Sequence, residues 1–174
     1  IKGIFNYYVN EVGLFDENTV VHIGADEFYD SHEAYRNFLI QMIDYVENDL
    51  HRQVRVWGSL SQMNTGTEYP FTADKVQGAQ MNIWNTGWAN PTAMYNLGFD
   101  LINTVDGSLY MVPNGNGGRG GYGDFLATQS LYNNWTPENF GGTWLPAGSE
   151  RVMGATYAIW QDNIDTRAAG ISET

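Results

Sequence analysis

The sequence predicts an α/β protein in which helices cover a parallel β-sheet. Short apolar runs alternate with helical patterns along the 174 residues, and four of the five predicted strands stop at an aromatic or acidic residue before a turn. Because parallel strands end at the same edge of a sheet, we expect these side chains to meet at one rim. The hydrophobic content of 43% is sufficient for one domain with its own core.

The first predicted strand and the helix after it establish this alternation. Residues 19–23 form an apolar run that leads into Gly24. The helix spans about 31–51, and Asp30 and Glu33 before and within its first turn have the spacing of a capping box. Apolar residues at helical spacing form its predicted core face: Tyr35, Phe38, Leu39, Met42, Ile43, Val46 and Leu50.

Further strands and one more helix are predicted downstream. The strands cover 53–58, 80–85, 100–105 (extended by 108–112) and 154–160, and the helix covers about 91–97. Trp57, Trp84 and Trp160 stand at the ends of three of these strands. A single tryptophan is usually core packing, but its recurrence at strand ends indicates a shared binding cleft.

The hexapeptide HIGADE, residues 22–27, follows the first strand and is the clearest sign of function. Its two adjacent carboxylates repel each other, an arrangement typical of sites that need acid and base groups. Gly24 and Ala25 are small, so the backbone can turn tightly and a ligand can approach. His22 suits two roles, either orienting a neighbouring acid by a hydrogen bond or occupying a satisfied position in the core.

The pattern His-x-Gly-x-Asp-Glu resembles the signature of glycoside hydrolase family 20, the β-N-acetylhexosaminidases and lacto-N-biosidases. That family usually has a second glycine where this chain has Ala25. The resemblance covers nearly the whole chain and implies the C-terminal part, about strands 4 to 8, of a (β/α)₈ TIM barrel. Since a complete barrel needs about 250 residues, we expect residues 1–174 to be a partial catalytic domain of a longer protein. The missing barrel strands then come from the rest of the parent chain.

The resemblance also implies roles for individual residues. Asp26 and Glu27 correspond to the catalytic pair that closes strand four, and Tyr110 to a tyrosine that donates a hydrogen bond to the acetamido oxygen. In the family, tryptophans wall and floor the sugar, and an acid two residues after the last tryptophan binds its hydroxyls. We therefore expect substrate contacts from the following residues: His22, Trp57, Trp84, Trp160 and Asp162.

Two departures from the family pattern concern the sugar hydroxyls. Asp162 stands where the family usually has glutamate, and the family's Tyr-x-Asp is Tyr110-Met111-Val112 here. Loss of that acid suits a substrate extended beyond its terminal sugar. The resemblance thus leaves two activities open, removal of a terminal β-linked N-acetylhexosamine (GlcNAc or GalNAc) and release of Gal-β-1,3-GlcNAc by a lacto-N-biosidase.

The mechanism implied by the resemblance is retaining and substrate-assisted, an exception to the scheme with two protein carboxylates. The acetamido oxygen attacks the anomeric carbon and forms an oxazolinium intermediate. Glu27 protonates the leaving oxygen and then activates water. Asp26 orients the acetamido N–H and stabilises the cation.

Composition argues against several other classes of function. The chain has 20 acidic and 8 basic residues, a net charge of -12, which disfavours nucleic acid as a partner. No run approaches the roughly 18 apolar residues of a membrane span, so we expect no membrane insertion. The absence of cysteine removes disulfide frameworks and thiol catalysis. The family's habits and the lack of cysteine suggest an extracellular or cell-surface location in a bacterium.

Two further motifs are not expected to bind a cofactor or metal. Residues 115–120 match G-x-G-x-x-G, but no helix follows directly, so we predict a loop over the cleft with Arg119 or Tyr122 near the substrate. Residues 162–165 lack the glycine and the spacing of a calcium loop. The sequence predicts neither a cofactor nor a metal.

Two alternatives to an enzyme remain open. One is a non-catalytic carbohydrate-binding module, and the other is a structural barrel segment that completes another chain's fold. An aromatic content of 14% fits a binding module as well as an enzyme. The alternation of strands with helices and the adjacent acid pair favour the enzyme.

Overall fold

A computed structural model describes residues 1–58, 70–113, 122–123 and 125–161. The strands are β1 (Val21–His22), β2 (Val54–Gly58), β3 (Gln80–Ile83), β4 (Asp100–Asn103), β5 (Tyr110–Met111), β6 (Asn139–Phe140), β7 (Thr143–Trp144), β8 (Val152–Ala155) and β9 (Ala158–Ile159). The helices are α1 (Lys2–Asn6), α2 (His32–Asp44), α3 (Ala73–Val76), α4 (Pro91–Leu97), α5 (Asp106–Leu109) and α6 (Thr128–Asn134). π-helical turns at Tyr7–Glu11 and Tyr45–Asp49 continue α1 and α2.

A five-stranded parallel sheet forms the centre of the structure. Its strand order is β1-β2-β3-β4-β8, and every neighbouring pair is parallel. The short strands β5 and β9 form a second parallel pair, and β6 and β7 form an antiparallel hairpin. The predicted α/β class with a parallel sheet is confirmed. All five strands of the main sheet therefore direct their carboxyl ends to one edge.

The strands β2 and β3 at the centre of the sheet differ in how their residues are buried. All four residues of β3 are buried, as expected for a strand covered on both faces, whereas buried and half-buried residues alternate along β2. Gly58 at the end of β2 allows close packing, because a Cβ there would lie 2.9 Å from the Ala89 Cβ. The sheet and α2 share one hydrophobic core.

The helix predicted over 31–51 is present but begins differently from the expectation. Ser31, not Asp30, is the N-cap, and its hydroxyl oxygen accepts a hydrogen bond from the Ala34 N–H at 3.2 Å. The predicted core face is buried except at Phe38, whose side chain is 40% exposed. Arg36 is buried instead and pairs with Glu33.

Two strand predictions were partly wrong. In the segment 108–112, Ser108 and Leu109 belong to α5, and only the two residues of β5 are extended. The segment 154–160 is interrupted after Ala155 and supplies both β8 and β9. The break coincides with a hydrogen bond from the Thr156 N–H to the Asn103 carbonyl, after which the chain leaves β4 and pairs with β5.

Several short elements had no counterpart in the sequence prediction, namely α1, α3, α6 and the β6–β7 hairpin. The hairpin did have a recognisable signal, because Gly141 and Gly142 occupy its two-residue turn with positive φ angles of 60° and 95°. No helix in the described part of the chain is long and apolar enough to cross a bilayer.

Candidate active site

A cavity of about 280 Å³ opens at the carboxyl edge of the sheet. The described residues that line it are Asp26, Glu27, Trp57, Trp84, Tyr110, Val112, Tyr122 and Trp160. Six of the eight residues predicted as site residues are in this lining. Of the other two, His22 contacts the ring of Trp57 next to the cavity, and Asp162 lies outside the described residues.

The turn that carries the acid pair has an unusual backbone. Gly24 and Ala25 have φ angles of 69° and 74°, and Glu27 has a φ of 56°. These values lie in the left-handed region, which costs about 1–2 kcal/mol for a residue with a side chain. Such strain is concentrated at functional sites, where the surrounding structure maintains it. The left-handed φ of Ala25 explains in physical terms why a glycine suits that position.

Hydrogen bonds from neighbouring elements hold this turn. The Trp57 N–H of β2 donates to the Gly24 carbonyl at 2.9 Å, and the Tyr35 hydroxyl of α2 donates to the Ala25 carbonyl at 2.6 Å. Burial and the charge of Asp26 raise the pKa of Tyr35, so its hydroxyl keeps its proton and remains a donor. Strand β2 and helix α2 therefore hold the backbone of the turn that carries the two carboxylates.

His22 adds a third constraint from the end of β1. Its Nδ1 accepts a hydrogen bond from the Gly24 N–H at 3.0 Å, which requires that nitrogen to be unprotonated. Burial and the charge of Arg55 lower the pKa of His22, while Asp26 and Asn82 act in the opposite direction. A neutral imidazole is therefore the form that supports the turn.

Aromatic rings from distant parts of the sequence form further walls of the cavity. The ring centroids of Trp57 and Trp160 are 6.4 Å apart, and those of Trp160 and Tyr110 are 5.7 Å apart. Trp84 lies nearly parallel to Tyr110 at 6.3 Å. Burial is the main cause that raises the pKa of Tyr110. Its phenol therefore remains protonated and able to donate a hydrogen bond across the physiological pH range.

Tyr122 also lines the cavity, and Asp106, which is outside the lining, is hydrogen-bonded to it. The Tyr122 hydroxyl donates to Asp106 Oδ2 at 3.0 Å, and the Asn85 amide donates to the same oxygen at 3.3 Å. Burial, this hydrogen bond and the nearby charges of Asp106 and Glu27 raise the pKa of Tyr122 to about 12. The sequence analysis predicted a loop with Arg119 or Tyr122 near the substrate. Nothing in the sequence indicated a role for Asp106.

The chemistry available in the cavity is that of two carboxylates, phenol donors and aromatic surfaces. In the described part of the chain, no three His, Asp or Glu side chains are grouped so as to bind a metal ion. The dinucleotide-like glycine cluster over 115–120 lies outside the described residues. A neutral ligand with hydroxyl groups, an amide and apolar ring faces fits this set of groups.

Comparison with known proteins identifies a similar fold. No protein-family profile and no curated protein match the sequence. A solved structure described as a glycoside hydrolase family 20 beta-N-acetylglucosaminidase is similar, with a TM-score of 0.59 and 16% sequence identity. The match covers 91% of this chain and 32% of that chain, so this chain spans about a third of that enzyme's length. At this identity the match shows a common fold.

Proposed function

We propose that this chain belongs to a retaining glycoside hydrolase that removes terminal β-linked N-acetylhexosamine by substrate-assisted catalysis. The observation that carries the proposal is the convergence of the adjacent acids Asp26 and Glu27 with five aromatic residues around one cavity. The similarity in fold to a family 20 enzyme supports it. Residues 1–174 then form the part of a TIM-barrel domain that contains strands 4 to 8, in a longer protein that acts outside the cell or at its surface.

The geometry supports a division of roles between the two acids. Glu27 has a left-handed φ, so the chain bends between the two carboxylates and lets them serve different parts of the substrate. In this proposal Glu27 gives its proton to the leaving glycosidic oxygen as the acetamido oxygen bonds to the anomeric carbon. Glu27 then removes a proton from the water that opens the oxazolinium ring. Asp26 accepts a hydrogen bond from the acetamido N–H and stabilises the positive charge.

The aromatic residues position the acetamido arm and the sugar ring. Tyr110 holds its phenolic proton and is suited to donate it in a hydrogen bond to the acetamido oxygen. Trp57, Trp84 and Trp160 supply flat apolar surfaces against which a pyranose ring and the acetamido methyl pack. Such positioning converts the attack into an intramolecular step, which lowers its entropic barrier.

A second candidate is the release of Gal-β-1,3-GlcNAc by a lacto-N-biosidase. Val112 favours this alternative, because its apolar side chain lines the cavity where the family pattern has an acid. Without that carboxylate, the described wall has lost a group that binds the terminal sugar's hydroxyls. The result is a cavity that better tolerates a substituent on the sugar.

The test is hydrolysis of aryl β-N-acetylglucosaminide and aryl β-lacto-N-bioside by the full-length parent protein and its Glu27→Gln variant. Because a general acid typically contributes about 10²–10⁴-fold to the rate, we expect kcat/KM to fall by at least about 100-fold in the variant. The exposed Glu150→Gln is the matched control and keeps full activity. Release from only one substrate decides between the two activities.

Two outcomes contradict the proposal. Full activity of Glu27→Gln excludes Glu27 as the general acid. Absence of hydrolysis of both substrates by the wild-type protein favours a carbohydrate-binding or structural barrel.

A further inference from the structure

The side chain of Asn82 lies on the same face of the sheet as His22. Asn82 of β3 pairs in register with Trp57 of β2. Arg55, two residues before Trp57, pairs with His22 of β1. Because alternate residues of a strand point to the same face, all four side chains share the face on which Trp57 lines the cavity.

The His22 imidazole requires an acceptor for a proton on Nε2. Its Nδ1 accepts the Gly24 N–H at 3.0 Å, so the neutral ring carries its single proton on Nε2. The Asn82 side chain is close enough to this imidazole to raise its pKa as a hydrogen-bond partner. The Nε2–H group therefore has an amide beside it.

The oxygen of that amide is an acceptor that the surrounding network does not use. Asn82 is 4% exposed, and its Oδ1 is buried with no donor at full hydrogen-bond geometry among the described residues. Its Nδ2 already donates to Thr104 Oγ1 at 3.0 Å and to Thr156 Oγ1 at 3.3 Å. Because an unpaired buried amide oxygen is costly, Oδ1 calls for a donor.

The reverse orientation of the amide conflicts with the number of protons on the ring. If Nδ2 of Asn82 faced the imidazole, Nε2 of His22 would have to accept a hydrogen bond, while Nδ1 already accepts from Gly24. A neutral imidazole has one N–H group and cannot accept at both nitrogens. The turn is therefore compatible only with Oδ1 directed towards His22.

We propose that Asn82 is a positioning residue for the acid pair: its Oδ1 accepts a hydrogen bond from the His22 Nε2–H and fixes the tautomer whose Nδ1 holds the Gly24 N–H. Asn82 is outside the described lining of the cavity, so it acts on Asp26 and Glu27 through the turn. The inference rests on the proposed function for its kinetic consequence alone, because the tautomer is measured without substrate.

Two charged groups on the described elements act on the His22 imidazole. Arg55 on β2 lowers its pKa, and Asp26 in the turn raises it. A substitution at Asn82 leaves both of them in place. Asn82→Asp keeps an acceptor opposite Nε2 and adds a negative charge, and the neighbouring threonine hydroxyls can donate to the new carboxylate.

The first measurement is ¹⁵N NMR of the full-length protein with labelled histidine, in which His22→Asn identifies the His22 signals. We expect the neutral wild-type ring to carry its proton on Nε2. We expect Asn82→Asp to raise the pKa of His22 by at least about one pH unit, because an adjacent opposite charge favours the imidazolium.

The matched control is Thr104→Val, which removes a partner of the same amide but leaves Oδ1 of Asn82 in place. We expect this variant to retain the wild-type tautomer and the wild-type pKa of His22. Three outcomes overturn the proposal: a proton on Nδ1 in the wild type, an unchanged pKa in Asn82→Asp, or an equal rise in Thr104→Val.

The pH dependence of kcat/KM extends the test to the acid pair. An imidazolium has no acceptor at Nδ1, so the acidic limb of the Asn82→Asp profile should move to higher pH together with the pKa of His22. Asn82→Leu removes the acceptor and should lower kcat at least about tenfold with little change in KM, because the displaced acids lose their alignment. An Asn82→Asp profile that coincides with the wild-type profile contradicts the positioning role.

This inference and the proposed function fail separately. If the wild-type protein hydrolyses neither aryl glycoside but the Nε2 tautomer and the pKa rise in Asn82→Asp are observed, the hydrolase proposal fails and the support of the turn by Asn82 stands. Hydrolysis by a protein whose His22 proton is on Nδ1 retains the hydrolase and excludes this pairing. If Asn82→Leu does not fold, Asn82→Asp decides, since it keeps an acceptor at the same place.

Discussion

At the scale of single residues, His22 lies beside the cavity and is hydrogen-bonded to the turn that carries the two acids. The Gly24 N–H donates to its Nδ1, and Gly24 begins the left-handed turn that leads to Asp26 and Glu27. A protonated imidazole has no free acceptor at Nδ1, so protonation breaks this hydrogen bond. The protonation state of the His22 imidazole is thus coupled to the geometry of the turn that carries the acid pair.

Because of this coupling, we expect the free energy of unfolding to decrease more steeply with falling pH than the titration of carboxylates alone would cause. The pKa of His22 is lowered from 6.5 by burial and Arg55. Just below pH 6.5 the unfolded chain therefore binds more protons at this residue than the folded chain. The free energy of unfolding is fully retained above 6.5 and decreases as the pH falls towards the lowered value. In the His22→Asn variant, the amide oxygen is an acceptor near the position of Nδ1, and this oxygen does not titrate.

The measurement is urea unfolding of the wild-type, His22→Asn and His51→Asn proteins at several pH values between about 7.5 and 5.5. We expect a smaller loss of stability with falling pH in His22→Asn. His51→Asn is the control, because His51 is exposed and Asn tolerates its positive φ of 52°. The same pH dependence in wild type and His22→Asn contradicts the coupling.

At the scale of secondary-structure elements, a polar network joins the neighbouring strands β3, β4 and β8. The amide of Asn82 in β3 donates to Thr104 Oγ1 at 3.0 Å and to Thr156 Oγ1 at 3.3 Å. The two threonine hydroxyls, just after β4 and β8, are 2.9 Å apart. Asn82 and Thr104 are buried at 4% and 1% exposure, so the loss of a partner leaves a desolvated polar group.

We expect Thr104→Val to lower the free energy of unfolding by about 1–3 kcal/mol, because valine removes the acceptor of a buried amide. Thr156→Val is the matched control. Its side chain is exposed, so water can replace the lost hydroxyl and the cost should be smaller. Denaturant unfolding of both variants measures the difference. An equal cost for both variants is inconsistent with a buried network.

The sequence specifies the long elements better than the short ones, for reasons visible in particular residues. Helix α2 and strand β2 bury one face each, so the periodicity of their apolar residues is visible in the structure, and all four residues of β3 are buried. Helix α5 has four residues and begins with a hydrogen bond from the Asp106 N–H to the Trp84 carbonyl, and β5 has two residues that pair with the distant strand β9. Such contacts leave no periodic signal.

The candidate site was predictable to the extent that its residues stand at strand ends. Asp26, Glu27 and the three tryptophans follow or end apolar runs, and parallel topology brings those ends together. Asp106 had no such signal, because it starts a short helix and reaches the site through hydrogen bonds to Tyr122 and Asn85. The left-handed φ of Ala25 was also not predictable, since alanine rarely adopts it.

At the scale of the whole molecule, the charge distribution affects which ligands can enter the first cavity. The chain has a net charge of -12, and Asp26 and Glu27 are the only charged residues among the described ones that line the first cavity. Asp106 adds a further carboxylate in a neighbouring cavity that Tyr110 and Tyr122 also line. The field at the entrance therefore repels anions and has little effect on neutral sugars.

This field predicts different salt responses for two substrates, one of which carries an added sulfate group. Raising the ionic strength from about 10 to about 150 mM shortens the Debye length and screens the repulsion. We expect kcat/KM for an aryl 6-sulfo-β-N-acetylglucosaminide to rise at least about threefold, and kcat/KM for the unsulfated substrate to stay constant. Steady-state kinetics of the full-length protein in both conditions provide the measurement. Parallel responses of the two substrates mean that long-range charge does not select the substrate and that discrimination depends on contacts inside the cavity.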